Sequence, residues 1–157
     1  MSGLEGADEL IARLNSISNE MKTKILEKAV GQGTQIVRRE AVLLCPVDTG
    51  ELRQSIKTSV EAAGDEVNGI TYTNKEYAAY VEFGTGPKGE ESHSGISPDI
   101  TLSYTQQGWN YKNDDGEWIY TNGQPAQPFM YPALKNNEDK VTKRVKEVIS
   151  DELRKLV

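Results

Sequence analysis

The stretch Tyr77-Ala78-Ala79-Tyr80-Val81-Glu82-Phe83-Gly84-Thr85-Gly86 lies at the middle of the chain, between a half that predicts helices and strands and a half rich in loops. Tyr77, Tyr80 and Val81 would share one face of a helix, since they are three and four residues apart. A strand would place alternate residues on one face instead. We favour one or two helical turns that end at the first glycine, because glycine readily adopts the left-handed conformation that ends helices. Both interpretations bury the aromatic side chains of this stretch in the core.

Length and composition fit one globular domain. The chain has 157 residues, of which 36% are hydrophobic and 27% charged, which suffices for one core but not for two. We therefore expect a single domain over residues 1–157, with a flexible N-terminus at residues 1–6. The net charge is −6 and the pI about 4.9. These values argue against nucleic-acid binding through phosphates and against docking on an anionic membrane.

The single cysteine, Cys45, lies among aliphatic residues, and no intrachain disulfide can form. We interpret it as a small buried apolar residue rather than a reactive thiol. The N-terminus has neither the basic start nor the apolar run of a secretion signal. No stretch approaches the roughly 20 apolar residues of a membrane span. We expect synthesis and folding in a reducing cytoplasm and no membrane partner.

An apolar stripe at intervals of three and four residues predicts a long helix from Ser18 to Leu44. Gly31 and Gly33 interrupt it, each at a cost of about 1 kcal/mol relative to alanine. Since Gly33 falls on the stripe, another element could approach closely there. One long helix, bent at the glycines, is the favoured interpretation, and two helices are the alternative. A small amphipathic helix at residues 7–14 precedes it, and the polar residues between the two could cap the second helix.

A short helix and a hairpin follow. Pro46 ends the long helix, because the residue before a proline is pushed out of the α region. Asp48 and Glu51 have the spacing of a capping box, so the short helix should begin directly after Asp48. The runs at residues 57–62 and 67–73 flank a Gly-Asp turn, and the second is rich in β-branched and aromatic residues. Together they predict an antiparallel hairpin.

Residues 84–99 have the composition of a flexible loop. A loop of this length inside a compact domain is usually functional or disordered. His93 is the only histidine of the chain. Its only neighbouring ligand candidates are Glu90 and Glu91, so we interpret it as a solvated side chain rather than a metal ligand.

Two short aromatic runs flank Asn-Asp-Asp-Gly between Trp109 and Tyr120, which predicts a hairpin with Gly116 at the positive-φ position of its turn. Trp109 and Tyr111 would share one face of the first strand, and Trp118 and Tyr120 one face of the second. Two interpretations stay open. The rings could pack across the strands onto the core, or the hairpin could be too small to bury every ring and present the remainder to a partner protein.

The C-terminal part begins with an extended, proline-punctuated segment at residues 122–134, in which Pro132 can occupy the first turn of a helix. From there an apolar stripe predicts a C-terminal helix. The members of the stripe are Leu134, Val141, Val145, Val148, Ile149, Leu153 and Leu156. The opposite face is rich in lysine and arginine and is most simply solvated.

Three blocks of sequence, in this order, resemble one protein family. The first is Pro46-Val47-Asp48-Thr49-Gly50 with Leu52, Arg53, Ser55 and Ile56, the second is the central stretch, and the third is Pro125-Ala126-Gln127-Pro128-Phe129 with Pro132-Ala133-Leu134. They are similar to the small tail-completion proteins of long-tailed double-stranded-DNA phages and prophages, also called head–tail joining or neck proteins. The resemblance runs from about Ala7 to the C-terminus and covers the loop and hairpin insertion at residues 87–122 least. The positions that carry the shared structural motif are Asp48, Gly50, Arg53, Tyr80, Glu82, Gly84, Gly86, Pro128 and Phe129.

The resemblance implies an α+β fold, in which a long N-terminal helix and a C-terminal helix pack on a small, mostly antiparallel sheet. It also implies a ring, for example a hexamer, at the neck of the virion. The neighbours there would be head-side connector proteins and tail-tube or tail-terminator proteins. Such a ring needs a heterologous interface, and we look for it in the long loop, the aromatic hairpin and the exposed ends of the sheet. The interface residues we predict are Trp109, Tyr111, Trp118 and Tyr120.

No set of residues predicts an enzyme. The family has no known enzymatic activity, and one loop histidine and one buried cysteine give no convergent catalytic set. Asp48 is explained as a helix cap. Glu82 is expected to pair with Arg53, because an unpaired carboxylate among apolar residues would be costly. We predict no catalytic residue, metal or cofactor.

The acidic composition agrees with a neck through which DNA passes without specific binding, since an acidic lumen repels phosphate. Loop candidates for such a surface are Glu90, Glu91, Asp114 and Asp115. The alternative function is a monomeric adaptor or inhibitor module that binds one phage or host protein.

Overall fold

The computed structural model describes residues 6–156. Its elements, in chain order, are α1 (Ala7–Asn15), α2 (Asn19–Leu44), α3 (Glu51–Ser55), β1 (Lys57–Ala63), β2 (Glu66–Tyr72), α4 (Ala78–Phe83), α5 (Gly86–Glu91), β3 (Trp109–Lys112), β4 (Trp118–Thr121), α6 (Met130–Lys135) and α7 (Glu138–Arg154). The strands form two separate antiparallel pairs, β1–β2 and β3–β4. The predicted α+β class is confirmed. The flexible N-terminus predicted at residues 1–6 lies outside the described residues except for Gly6.

The long helix α2 supports most of the other elements. The β1–β2 hairpin, α6 and α7 all pack on it. Its first turn is closed by Ser18, whose hydroxyl accepts a hydrogen bond from the amide of Met21 at 3.3 Å, as expected of a helix cap. The helix runs unbroken from Asn19 to Leu44. The prediction of one long helix is therefore confirmed over the alternative of two.

The two glycines of α2 differ in how closely a neighbouring element approaches them. A Cβ atom at Gly33 would lie 3.0 Å from side-chain carbons of Val141 and Val145 of α7. A Cβ atom at Gly31 would lie 3.6 Å from Val60 of β1. The expected close approach at Gly33 is thus confirmed, and the neighbour is α7. The C-terminal helix and the hairpin pack on different faces of α2, which is their shared support.

Two hydrophobic clusters make up the core. One lies where α1, the first half of α2 and the second half of α7 meet, and it contains Leu14, Ile25, Ala29, Val148, Ile149 and Leu153. The other gathers the second half of α2 with α3, α4 and α6, and it contains Val37, Ala41, Cys45, Leu52, Ile56, Ala78, Phe129 and Ala133. Elements from both halves of the sequence therefore share the second cluster.

The C-terminal stripe forms two helices rather than one. Asn137 separates α6 from α7 and is 5% exposed. Its side-chain amide donates to the carbonyl of Ala133 at 2.8 Å, and its own carbonyl accepts from the amide of Val141 at 2.9 Å. One buried asparagine thus closes the first helix and starts the second. Pro132 lies in the first turn of α6, as predicted, whereas Leu134 and Leu156, expected on the buried stripe, are exposed.

The capping role predicted for Asp48 is wrong. Helix α3 begins at Glu51, after Gly50 in the left-handed conformation with φ 87°. The hydroxyl that accepts from the Glu51 amide, at 3.4 Å, belongs to Thr49. Within the described residues the Asp48 side chain makes no hydrogen bond or ion pair and is exposed. The positive φ of Gly50, which favours glycine, sets the start of this helix instead.

The two glycines of α2 should respond oppositely to substitution. Gly31→Ala adds a methyl group at ordinary contact distance and removes a poor helix former, so we expect stabilisation of up to about 1 kcal/mol. Gly33→Val pushes methyl groups into Val141 and Val145, and overpacking of this kind costs about 1–3 kcal/mol. Urea denaturation of both variants measures the difference. Equal stabilities would contradict the contact between α2 and α7 at Gly33.

Cys45 should react slowly with thiol reagents in the folded protein. It is 1% exposed, and burial raises the pKa of its thiol, while the Arg53 guanidinium partly opposes that rise. The stabilising effect of the neutral buried thiol is complete below the unfolded pKa of about 8.5 and is lost as the pH rises through the folded pKa. We expect alkylation at neutral pH to be far slower in buffer than in urea, as followed by mass spectrometry. Equal rates would contradict the burial.

Candidate interaction site

A buried carboxylate joins α4 to the start of α6. Glu82 is 6% exposed. One of its oxygens accepts from the amides of Phe129 at 2.7 Å and Met130 at 3.0 Å, and the other accepts from the amide of Tyr131 at 3.0 Å. The first amides of a helix have no partner within the helix, and a negative charge there is favourable. Glu82 thus caps α6 from a distant part of the chain.

The predicted pair between Glu82 and Arg53 does not form. The Nε of Arg53 donates to the carbonyl of Cys45 at 3.0 Å and so closes the turn that follows α2. The carboxylate is satisfied by backbone amides instead, which removes the need for a charged partner.

The segment that follows α4 and the segment that precedes α6 lie side by side. Thr85 and Gln124 form an antiparallel bridge, with amide-to-carbonyl distances of 2.9 and 3.1 Å. The amide of Gln127 donates to the carbonyl of Val81 at 2.8 Å. The insertion between them therefore starts and ends at one place.

Gly84 and Gly86 permit this close approach. Both have positive φ, at 75° and 61°. A Cβ atom at Gly84 would lie 2.7 Å from the amide nitrogen of Ala126, and one at Gly86 would lie 2.7 Å from the carbonyl oxygen of Asn122. The prediction that α4 is helical and ends at Gly84 is confirmed. Gly84 and Gly86 also leave room for the backbone of residues 122–126, and local sequence patterns did not indicate this contact.

The segment predicted as a flexible loop is partly ordered structure. Residues 86–91 form α5. The hydroxyl of Tyr104 donates to the carbonyl of Phe83 at 2.7 Å, and its ring lies 5.6 Å from that of His93. His93 is exposed, as expected, with Nδ1 3.1 Å from the carbonyl oxygen of Gly89. Residues 102–105 thus contact α4. The alternation of Leu102 and Tyr104 is the sequence signal that could have indicated this contact.

The aromatic side chains of the β3–β4 hairpin point in opposite directions. The register pairs Trp109 with Thr121 and Lys112 with Trp118. Residues that face each other across strands share one face of the ribbon, so Trp109 and Tyr111 lie on one face and Trp118 and Tyr120 on the other. Packing of the aromatic rings against each other across the strands is therefore excluded. Gly116 has the predicted positive φ, at 81°.

An open groove of about 1230 Å³ runs between the first two sequence blocks. Its walls are residues 46–52, the outer side of α4 with Gly84–Gly86, residues 102–105, and Trp109, with Gln124 and Gln127 at one end. The lining is mainly apolar and aromatic. Of the third block, Gln127 lines the groove, whereas Phe129 is fully buried and Pro128 is half-buried.

Tyr77 and Tyr80 line this groove and do not anchor the core. Tyr80 is 59% exposed and Tyr77 40%. The residues that α4 buries are Ala78 and Glu82. A short helix against a crowded core can bury a small residue and a backbone-bonded carboxylate on its inner face, which leaves the tyrosines outside. The expectation that these rings are buried is wrong.

The groove presents mainly apolar and aromatic surface, and the two buried groups near it are already occupied or shielded. Both oxygens of Glu82 are occupied by backbone amides, and Cys45 is buried away from the groove lining. Among residues 6–156, no three His, Cys, Asp or Glu side chains come together as metal ligands would. What the groove presents is apolar and aromatic surface, the chemistry of protein–protein contact.

Comparison with known proteins identifies the first half of the chain. Residues 8–84 match the family model described as "Bacteriophage HK97-gp10, putative tail-component". These residues are thus similar to the HK97-gp10-like family of phage tail components. No curated protein and no solved structure matches the chain. The kinship with phage tail proteins predicted from the sequence blocks is confirmed at the level of a tail component.

The HK97-gp10-like match ends within the central stretch. It includes Gly50, Arg53, Tyr80, Glu82 and Gly84, while Gly86, the third block and the aromatic hairpin follow it. The family part thus supplies the carboxylate and two walls of the groove. No helix among the described residues combines the length and apolar character that crossing a membrane requires.

Removal of the Glu82 carboxylate should destabilise the fold. Glu82→Ala leaves three amides at the start of α6 without an acceptor, and we expect a loss of about 3 kcal/mol. Glu82→Gln retains one acceptor oxygen and should lose less. Glu76→Ala, an exposed glutamate close by, is the matched control and should stay within about 0.5 kcal/mol. The midpoint of urea denaturation tests this series, and a stable Glu82→Ala protein would refute the role of the carboxylate.

Proposed function

We propose that this protein is a structural component of the phage virion that completes the tail and joins it to the head at the neck. Its copies form a ring through which DNA passes. The similarity of residues 8–84 to a family of phage tail components supports a structural role in the tail. A tail component is part of the virion and contacts other virion proteins.

The observation that carries the proposal is the exposed aromatic face of the β3–β4 hairpin. Trp118 is 69% exposed and Tyr120 62%. Each such ring can bury about 150–250 Å² of surface, and rings that project from a protein usually mark an interaction site. We assign this face, with Trp109 and Tyr111 on the reverse side, to contacts made during assembly.

The proposed role needs no chemistry. The protein would bind head-side connector proteins on one side and tail-tube or tail-terminator proteins on the other. DNA would pass without being held, because the net charge of −6 opposes attachment to phosphate. The acidic tip of the hairpin, with Asp114 and Asp115, is exposed and would resist adhesion of DNA if it reached the lumen.

Truncation of the aromatic face should block assembly and leave the fold intact. Trp118→Ala with Tyr120→Ala removes exposed rings, so the stability should change by less than about 1 kcal/mol. Heads and tails that carry this variant should fail to join in an in vitro complementation assay scored by electron microscopy. Ile70→Ala with Tyr72→Ala, which truncates exposed apolar residues of the other hairpin, is the matched control.

Two results would contradict the proposal. The first is a protein absent from the neck of purified virions. The second is a protein that stays monomeric with connectors and with tail tubes, yet binds one host protein, which is the behaviour of an adaptor or inhibitor module. Full joining activity of the double variant would refute the role of the aromatic face alone.

A further inference from the structure

We propose that the outer face of the β3–β4 hairpin of one copy docks in the groove of a second copy. The outer face consists of Asn110, Lys112, Trp118 and Tyr120, and the groove is the one bounded by residues 46–52, α4 and Trp109. This inference rests on the proposed ring and names the two surfaces that would join its subunits.

A hairpin cannot fill its own groove with its outer face. Trp109 lines the groove, and side chains alternate between the two faces of a strand. Because Trp109 and Trp118 lie on opposite faces of the ribbon, the hairpin that contributes one wall of the groove turns Trp118 away from it. Each copy thus carries two different surfaces with different directions, which is what a heterologous contact between subunits requires.

The groove suits a segment of protein. Its volume of about 1230 Å³ exceeds the roughly 300–1,000 Å³ typical of small-molecule sites. Its apolar walls carry Tyr77, Tyr80, Val81 and Trp109. Aromatic residues are enriched in the buried centres of protein interfaces, so Trp118 and Tyr120 are chemically matched to these walls.

Lys112, on the outer face, is complementary in charge to the groove rim, while the hairpin tip beyond it carries Asp114 and Asp115 and is acidic. On the outer face, the Lys112 ammonium lies 5.6 Å from the centre of the Trp118 ring. At the groove rim are Asp48, which has no partner within the described residues, and Glu51, which forms only an exposed pair with Lys75 at 3.7 Å. The one cation beside the docking rings would therefore meet two carboxylates. Opposite charges across an interface favour the correct pairing of surfaces.

The area of this contact predicts weak pairing of isolated copies. Two aromatic rings bury about 300–500 Å², below the roughly 800 Å² per partner of a stable complex. A subunit in a ring uses both of its surfaces at once, and closure makes the last contacts intramolecular. We therefore expect monomers in dilute solution and contacts that increase with concentration or on the assembled particle.

Cross-linking between two variants tests the pairing directly. Asn110→Cys places a thiol on the outer face and leaves its rings and Lys112 in place, and Ser103→Cys places one in the groove. With a short bis-maleimide, a mixture of the two variants should give a cross-linked dimer that neither gives alone, at yields that rise with concentration. The buried Cys45 should contribute little background. In the control mixture, Glu61→Cys, at an exposed position of β1, takes the place of Ser103→Cys. This mixture should not give a cross-linked dimer with Asn110→Cys.

A charge exchange then tests the specificity. Lys112→Asp and Asp48→Lys should each lower the cross-linking yield about fivefold, since one partner of a complementary pair is reversed. When Lys112→Asp is placed in the Asn110→Cys variant and Asp48→Lys in the Ser103→Cys variant, the mixture should regain its cross-linking yield. Rescue of this kind distinguishes a contact between these surfaces from a general loss of stability.

The outcomes separate this inference from the proposed function. A cross-link in Asn110→Cys alone would show hairpin meeting hairpin and would overturn the inference. So would the absence of a mixed cross-link both in a concentration series and in purified particles that contain the protein, although the proposed function would then stand. A specific mixed cross-link for a protein absent from the virion neck would support the pairing and overturn the proposed function.

Discussion

One carboxylate fixes the geometry on which the rest of the structure depends. Glu82 accepts three backbone amides at the start of α6, 47 to 49 residues further along the chain. Its burial would be unfavourable without these partners. Because the amides belong to the backbone, the position of α4 is tied to the direction in which the chain enters α6. The groove lies on the outer side of α4, and the hairpin base lies beside it, so both are placed by this contact.

Helix α2 is the second constraint, and it acts through small residues. Gly33 lets α7 approach closely, and Ala29 and Ala41 of the same helix are fully buried. Close packing leaves few voids for rearrangement, so the elements that carry the groove rest on a rigid support. The outer aromatic rings of the hairpin, Trp118 and Tyr120, are exposed. Rigid walls and projecting rings are a combination suited to assembly from separate subunits.

Patterns local in sequence predicted much of the fold. The period of α2, its cap at Ser18, both hairpins and the end of α4 at Gly84 could be read from neighbouring residues, because each depends on interactions within a few positions. The partner of Glu82 could not, since backbone amides leave no mark in the residue types. The outward tyrosines were missed because a short helix does not reveal which of its faces is buried. The opposite directions of the hairpin rings follow from the register, which became certain only with the strand pairing.

The bridge between Thr85 and Gln124 has a consequence for how such a chain can vary. It holds the two ends of a 38-residue excursion together, and the hydroxyl of Tyr104 fastens the excursion once more, to the carbonyl of Phe83. The entropic cost of closing a loop grows only with the logarithm of its length. The backbone hydrogen bonds between Thr85 and Gln124 do not depend on the residue types of the loop that they close. The hairpin tip, which lies beyond these contacts, is thus the part of the excursion that can change most freely. A phage lineage could lengthen, shorten or replace it to fit a new neighbour, while the framework beneath it continued to fold unchanged.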